Sequence, residues 1–267
     1  MSNFQRALSG LKKSQVIIPV IRSTMADPDF AGFVVTVRGW KAGHREFDGW
    51  FHPSTHATWT ARQLALYLKH GEDVPQERPG LEFVLAVTQG SFWHEFMQRL
   101  LLKRGILRRN PGSTNKDNIE KQVEVTLVDD EHNRRGHADG RLAICDDELF
   151  EFKTMNDWKI KKYDNPDAED VLREENPFGY WTQAQEYMDM AGIPKMRFVI
   201  MSMSSPYPMT EFVVHANPHF QRQQRAKYRE ALEAAREDRL PEACCGIGSK
   251  QATACPVKDF CPIGRMS

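Results

Sequence analysis

Gly-His-Ala-Asp-Gly at positions 136–140 and Glu-Leu-Phe-Glu-Phe-Lys at positions 148–153 are the two runs on which the reading of this chain turns. The stretches 136–144 and 148–153 flank Cys145-Asp146-Asp147 and read as the arms of a hairpin. Alternate residues of a strand share a face, so Glu151 and Lys153 project the same way. Asp139 and Glu151 are candidate ligands for Mg²⁺ or Mn²⁺, which favour hard oxygen donors. A lysine beside such carboxylates can hold a phosphate oxygen or orient an attacking water. A two-residue turn at Asp146-Asp147 sets Asp139 opposite Thr154, on the face away from Glu151 and Lys153. An odd-length loop or a bulge restores the shared face, and one of these is predicted. On spacing alone, a turn aspartate beside a solvated Glu-x-Lys face accounts for the pattern comparably well.

Working outward, QVIIPVIR (15–22) and GFVVTVRGW (32–40) follow a short N-terminal helix or arm. The second alternates as a strand with one buried face. Ser54 or Thr55 is placed to cap a helix carrying Leu64, Leu66 and Leu68 that stops at Gly71. A helical apolar period runs over 81–105, and 111–118 reads as a loop. QVEVTLV (122–128) alternates as a strand. The run after Asn176 has helical spacing, with Gly192 and Pro194 as its stop. Strands are expected at 196–203 and 210–216, and a basic amphipathic helix at 218–238. Strands enclosed by helices predict a mixed α/β core.

Composition narrows the function classes. The 267 residues include 36 Lys+Arg and 36 Asp+Glu, so the chain as a whole carries no net attraction for nucleic acid; any such binding must come from local patches. No apolar run approaches the roughly 20 residues of a membrane span. The opening MSNFQRALSGLKKSQ lacks the apolar middle of a secretion signal. Five cysteines, four of them bunched near the end, do not look like a secreted disulfide framework. A soluble intracellular protein, cytoplasmic in place, is the expectation.

Asp139, Glu151 and Lys153 resemble the core motif of the PD-(D/E)xK nucleases, in particular the RecB-like branch of recombination, phage and CRISPR-associated exonucleases. Gly90-Ser-Phe-Trp-His94 resembles that branch's glycine-to-histidine helix, and Gln183-Ala-Gln-Glu-Tyr187 its Gln-x-x-x-Tyr motif. The order of the motifs is also the branch's order, over roughly residues 50–220. The resemblance implies a mixed central sheet flanked by helices in a nuclease domain of residues 1–240, followed by a cysteine-rich tail at 241–267 packed on it. It implies a metal-dependent DNA exonuclease of phage or bacterial recombination, acting on linear DNA beside a strand-annealing protein or a helicase. An endonuclease on the same fold and a non-catalytic DNA-binding subunit are the alternatives. In this frame His94, Asp139, Glu151 and the backbone carbonyl of Phe152 hold Mg²⁺ or Mn²⁺. Lys153 orients the water, and Gln183 and Tyr187 position DNA from one helix face.

Cys244, Cys245, Cys255 and Cys261 suit Zn²⁺ or an iron–sulfur cluster. Cys255 and Cys261, followed by Pro262, resemble the end of the pattern in iron–sulfur members of the family. The first cysteine of that pattern is missing, because Trp59 and Thr60 occupy its neighbourhood. His56 or His219 is a substitute in a zinc site, and a tail of unligated thiols is the other reading. Cys145 is expected to pack as a small apolar residue. Arg134-Arg135, before the first run, and Lys159, Lys161 and Lys162, after the second, are placed to hold phosphates. Trp158, Tyr163, Tyr180 and Trp181 are candidates for stacking on unpaired bases or for core and rim positions.

Overall fold

The runs at 148–155 and 195–202 pair in parallel and form the middle of a four-stranded sheet. A computed structural model describes residues 15–27, 47–74, 80–111, 113, 118–145 and 147–267. The N-terminal arm, the strand expected at 32–40 and Asp146 of the hairpin turn lie outside the described residues. In chain order the main elements are α1 (Ile18–Met25), α2 (Ala61–His70), α3 (Leu81–Lys103), α4 (Ile119–Val123), β1 (Val125–Asp129), β2 (Arg134–Ala138), β3 (Gly140–Arg141), β4 (Glu148–Met155), α5 (Ala168–Glu175), α6 (Tyr180–Ala191), β5 (Lys195–Ser202), β6 (Met209–His215) and α7 (Pro218–Arg236). The chain forms two compact units. One holds the described residues within 1–40, 79–126 and 137–216, the other those within 41–78, 127–136 and 217–267.

In the first unit the strand order is β3-β4-β5-β6, with β4 and β5 parallel and the outer pairs antiparallel. A parallel pair needs a crossover, and α5 and α6 supply it between β4 and β5. Burial on both faces explains why Phe150, Phe152, Phe198, Val199 and Ile200 make these strands apolar runs instead of clean alternations. On one face Phe150, Phe152, Val199 and Met201 pack with Met97, Leu100 and Leu101 of α3 and with Ile17 and Ile21. Helix α6 packs on β5 and β6. It ends at Gly192, whose φ of +63° is the left-handed C-terminal turn that the sequence signalled. The expected mixed α/β architecture, a mixed sheet flanked by helices, is therefore present, and the C-terminal stretch carries the cysteines.

Two local expectations are corrected. The helix expected to be capped by Ser54 or Thr55 begins later: Pro53 opens a single turn, Pro53–His56, and Thr60 then forms a capping box with Gln63 at the start of α2. Residues 122–123, expected in a strand, close α4 instead, because the Asn118 side chain accepts the Lys121 N–H and nucleates that helix; the strand starts at Val125.

A buried ionic network ties three strands to α1. Arg197 on β5 makes a two-pronged pair with Glu148 of β4, at 2.6 and 3.1 Å, and a third bond to Glu211 of β6 at 2.9 Å. Glu211 also accepts the N–H groups of Val16, Ile17 and Ile18, the open donors at the start of α1. One buried carboxylate thus neutralises a guanidinium and caps a helix.

In the second unit α2 and α7 pack through Leu64, Ala65, Tyr228, Ala231 and Ala234, with Phe51 between them. Arg134 is buried there. It bonds Asp129 through two nitrogens, at 2.9 and 2.6 Å, and lies over the Tyr228 ring. This corrects the expectation that Arg134 offers itself to phosphate. Leu66 of α2 meets Val257 and Cys261, so the cysteine-bearing segment is packed against α2.

Glu211→Ala is expected to lower stability by about 3–5 kcal/mol, the usual range when one partner of a buried pair is removed. Urea denaturation followed by circular dichroism measures it, and a loss under about 1 kcal/mol would contradict this account of the network.

Candidate active site

Asp139 stands at the bend between β2 and β3, where Gly140 pairs with Phe150 and Arg141 with Leu149. That register carries Asp139 to a position opposite Glu151, so the shared face expected from an odd-length loop is realised. The Asp139 carboxylate also takes the place of a main-chain acceptor: its Oδ2 receives the Phe152 N–H at 2.8 Å. Gln98 of α3 donates to the Asp139 carbonyl at 3.0 Å. The glycine that follows sits against Leu107: a Cβ at Gly140 would stand 2.9 Å from the tip of that side chain, which would have to shift.

His94, Asp139, Glu151, Phe152 and Lys153 converge, as expected. His94 on α3 lies with Nδ1 3.3 Å from Asp139 Oδ2 and its ring edge-on to Phe152. Lys153 Nζ is 2.6 Å from Glu151 Oε1. The carbonyl of Phe152 lies between Glu151 and Lys153 along β4. Gly90, one turn before His94, lines a cleft of about 380 Å³ together with Ser91, His94, Gln98, Glu120 and Glu124. Gln183 and Tyr187, a turn apart on α6, are buried and hydrogen-bonded to each other. Tyr187 feels the charges of Glu151, Lys153 and Asp139, which places it near the same group.

The electrostatics follow from burial and like charge. Burial and the neighbouring Asp139 carboxylate raise the Glu151 pKa to about 7, against the opposing pull of Lys153. Burial also works against ionised Asp139, but His94, Lys153 and the Phe152 N–H outweigh it and hold that carboxyl below its ordinary value. Lys153 is held firmly protonated: burial disfavours its charge, and Glu151 and Asp139 more than compensate. Burial, with the Glu151 charge, raises the Tyr187 phenol.

Glu151 Oε2 is buried without a hydrogen-bond partner. A facing carboxylate pair with one unengaged oxygen fits a hard divalent ion such as Mg²⁺ or Mn²⁺, which would remove the repulsion the pair now carries. Among the described residues no three His, Cys, Asp or Glu side chains already surround one point, so backbone oxygen and water would complete such a shell.

Sequence reading missed Glu124. Burial first, then Asp139 and Glu120, raise its pKa to about 7, and the Gln98 side chain hydrogen-bonds it. Glu120 and Glu124 are four residues apart, a readable helical pair, but only the packing of α4 on α3 brings them to the site. Tyr163 and Trp181, candidates for stacking, are instead core residues at 2% and 6% exposure.

In the second unit the four late cysteines line one small cavity with Arg62, Gln63 and Leu66. Gln63 donates to Cys255 Sγ at 3.5 Å, and Cys245 feels Cys244, Cys255 and Cys261. His56, the proposed substitute ligand, is engaged elsewhere: its Nδ1 accepts the His52 N–H.

No family model matches the chain, and no curated protein does. Among solved structures it is similar to an alkaline exonuclease, LHK-Exo, from Laribacter hongkongensis, at 14% identity over 71% of this chain and 89% of that one, TM-score 0.34. Against LHK-Exo in complex with dAMP the identity is 16% over the same shares, TM-score 0.43. A phage related exonuclease from Haemophilus somnus 129PT is 12% identical over 66% of this chain and 78% of its own, TM-score 0.36.

Glu124→Gln keeps the size of the side chain but cannot ionise. Folding raises the Glu124 pKa from 4.5 to about 7, so the wild type loses stability as pH climbs through that window and no further above it. In metal-free buffer the variant is expected to gain on the wild type at about pH 8, and the gain to vanish near pH 4. Urea midpoints across pH measure this; a gain independent of pH would contradict it.

Proposed function

We propose that this protein is a divalent-metal-dependent DNA nuclease of the PD-(D/E)xK kind, acting as an exonuclease on linear DNA in recombination or repair. The observation that carries the reading is the juxtaposition of Asp139, Glu151 and Lys153 in one buried register, with His94 beside Asp139. Asp139, Glu151, the Phe152 carbonyl and His94 would hold Mg²⁺ or Mn²⁺, which supplies a Lewis acid for the phosphate and a more acidic water. Lys153, protonated and fixed by Glu151, places a positive charge where a phosphate oxygen gains negative charge during attack. Gln183 and Tyr187, a buried pair on α6, are proposed to position the scissile strand from beneath the carboxylates. Burial and the facing Asp139 carboxylate raise the Glu151 pKa, so placing Glu151 there costs stability and supports a functional use.

The testing experiment is digestion of end-labelled linear and closed circular DNA with Mg²⁺ or Mn²⁺, beside EDTA and Lys153→Ala. Metal-dependent loss of linear DNA alone, lowered by about 10²–10³-fold or more in the variant, is the expected result. Cutting of the circle would replace the exonuclease by an endonuclease, and cleavage of neither would overturn the nuclease reading. The cysteine cavity is proposed to bind a metal, Zn²⁺ or an iron–sulfur cluster, around which its thiols, not yet gathered about one point, would close. Purified protein is then expected to carry zinc or iron that Cys255→Ser removes; protein holding neither metal would overturn this assignment.

A further inference from the structure

Beside the site, the first unit carries a ladder of rings and ammonium groups whose outer rings are exposed. Lys153 Nζ lies 4.8 Å from the Tyr180 ring centre, and the Tyr180 ring lies 5.5 Å from that of Phe178. Lys159 Nζ stands between the next two rings, 4.9 Å from Phe178 and 5.2 Å from Trp158. Lys162 lies 6.0 Å from Trp158, with its ammonium paired to Glu175 at 2.6 Å. Phe178 is 74% exposed and Trp158 62%, a costly placement for two large rings.

Phe178 is moreover held in a conformation that side chains avoid. Its φ is +55°, in the left-handed region. The Asn176 side chain fixes this turn by accepting the N–H groups of Trp181 and Thr182, at 2.9 and 3.3 Å, so that the Pro177-Phe178-Gly179 corner points its ring outward. A strained backbone that presents an apolar ring to water does not serve core packing.

We propose that Phe178 and Trp158 form a stacking platform for the unpaired bases of a single DNA strand, with Lys159 holding its phosphates and Tyr180 leading the strand to Lys153. This deepens the nuclease reading and rests on it for the direction of the strand, though not for the binding itself. Aromatic faces alternating with cations match a flexible strand with bare bases; a blunt duplex hides its base faces and offers only phosphates.

The test measures binding of full-length protein in EDTA to three fluorescent probes: a thymine homopolymer, a strand of equal length with abasic sugars, and a blunt duplex. Phe178→Ala and Trp158→Ala are each expected to weaken homopolymer binding by roughly tenfold, while abasic and duplex binding stay unchanged. Phe178→Trp is expected to restore homopolymer affinity, a rescue that a purely structural role of the corner would not show. Equal losses on homopolymer and abasic strands, no loss in the double variant, or no single-strand binding by the wild type would each overturn the platform. The two readings separate: a wild type that cleaves DNA yet binds independently of these rings sinks the platform alone. Ring-dependent binding without metal-dependent cleavage sinks only the nuclease assignment.

Discussion

The bond from the Phe152 N–H to the Asp139 carboxylate is the constraint on which the site depends. It does two things at once. It continues the β3–β4 pairing past Gly140, where the regular ladder stops, and it pins Asp139 against the strand that carries Glu151 and Lys153. A slip of one residue would turn Asp139 to the opposite face and separate the charges. Gly140 lets the Leu107 side chain pack against the bend.

Around this pin the first unit spends stability in one place and recovers it in another. At the site, burial and like charge oppose ionisation of Glu151 and Glu124. On neighbouring strands the Arg197 network arranges its charges so that every close pair is of opposite sign, and Glu211 adds the capping of α1. The sheet that holds the mismatched charges together is the one the matched charges lock. Such an arrangement gives the site a standing affinity for positive charge while keeping its backbone rigid.

Much of this was readable from the chain. Helix α3, the stop at Gly192, the strands β4 to β6 and the convergence of His94, Asp139, Glu151 and Lys153 follow from periodicity, turn residues and an ordered set of motifs. What misled was local ambiguity. QVEVTLV alternates well enough for a strand, but the Asn118 cap claims its first two residues for a helix. Arg134 reads as a phosphate binder, yet a bidentate partnership with Asp129 consumes it. Tyr163 and Trp181 look like stacking residues only until their burial is known.

The sequence by itself determined the mixed α/β class, the strand that bears Glu151 and Lys153, and the pairing of Gln183 with Tyr187, because each depends on neighbours within a turn or a strand. Only the tertiary structure decided that Glu124 joins the acidic group, that four cysteines share one cavity, and that Phe178 and not Trp181 faces water. Those facts are set by contacts between segments far apart in the chain and by a single left-handed corner. Neither leaves a periodic mark in the order of residues.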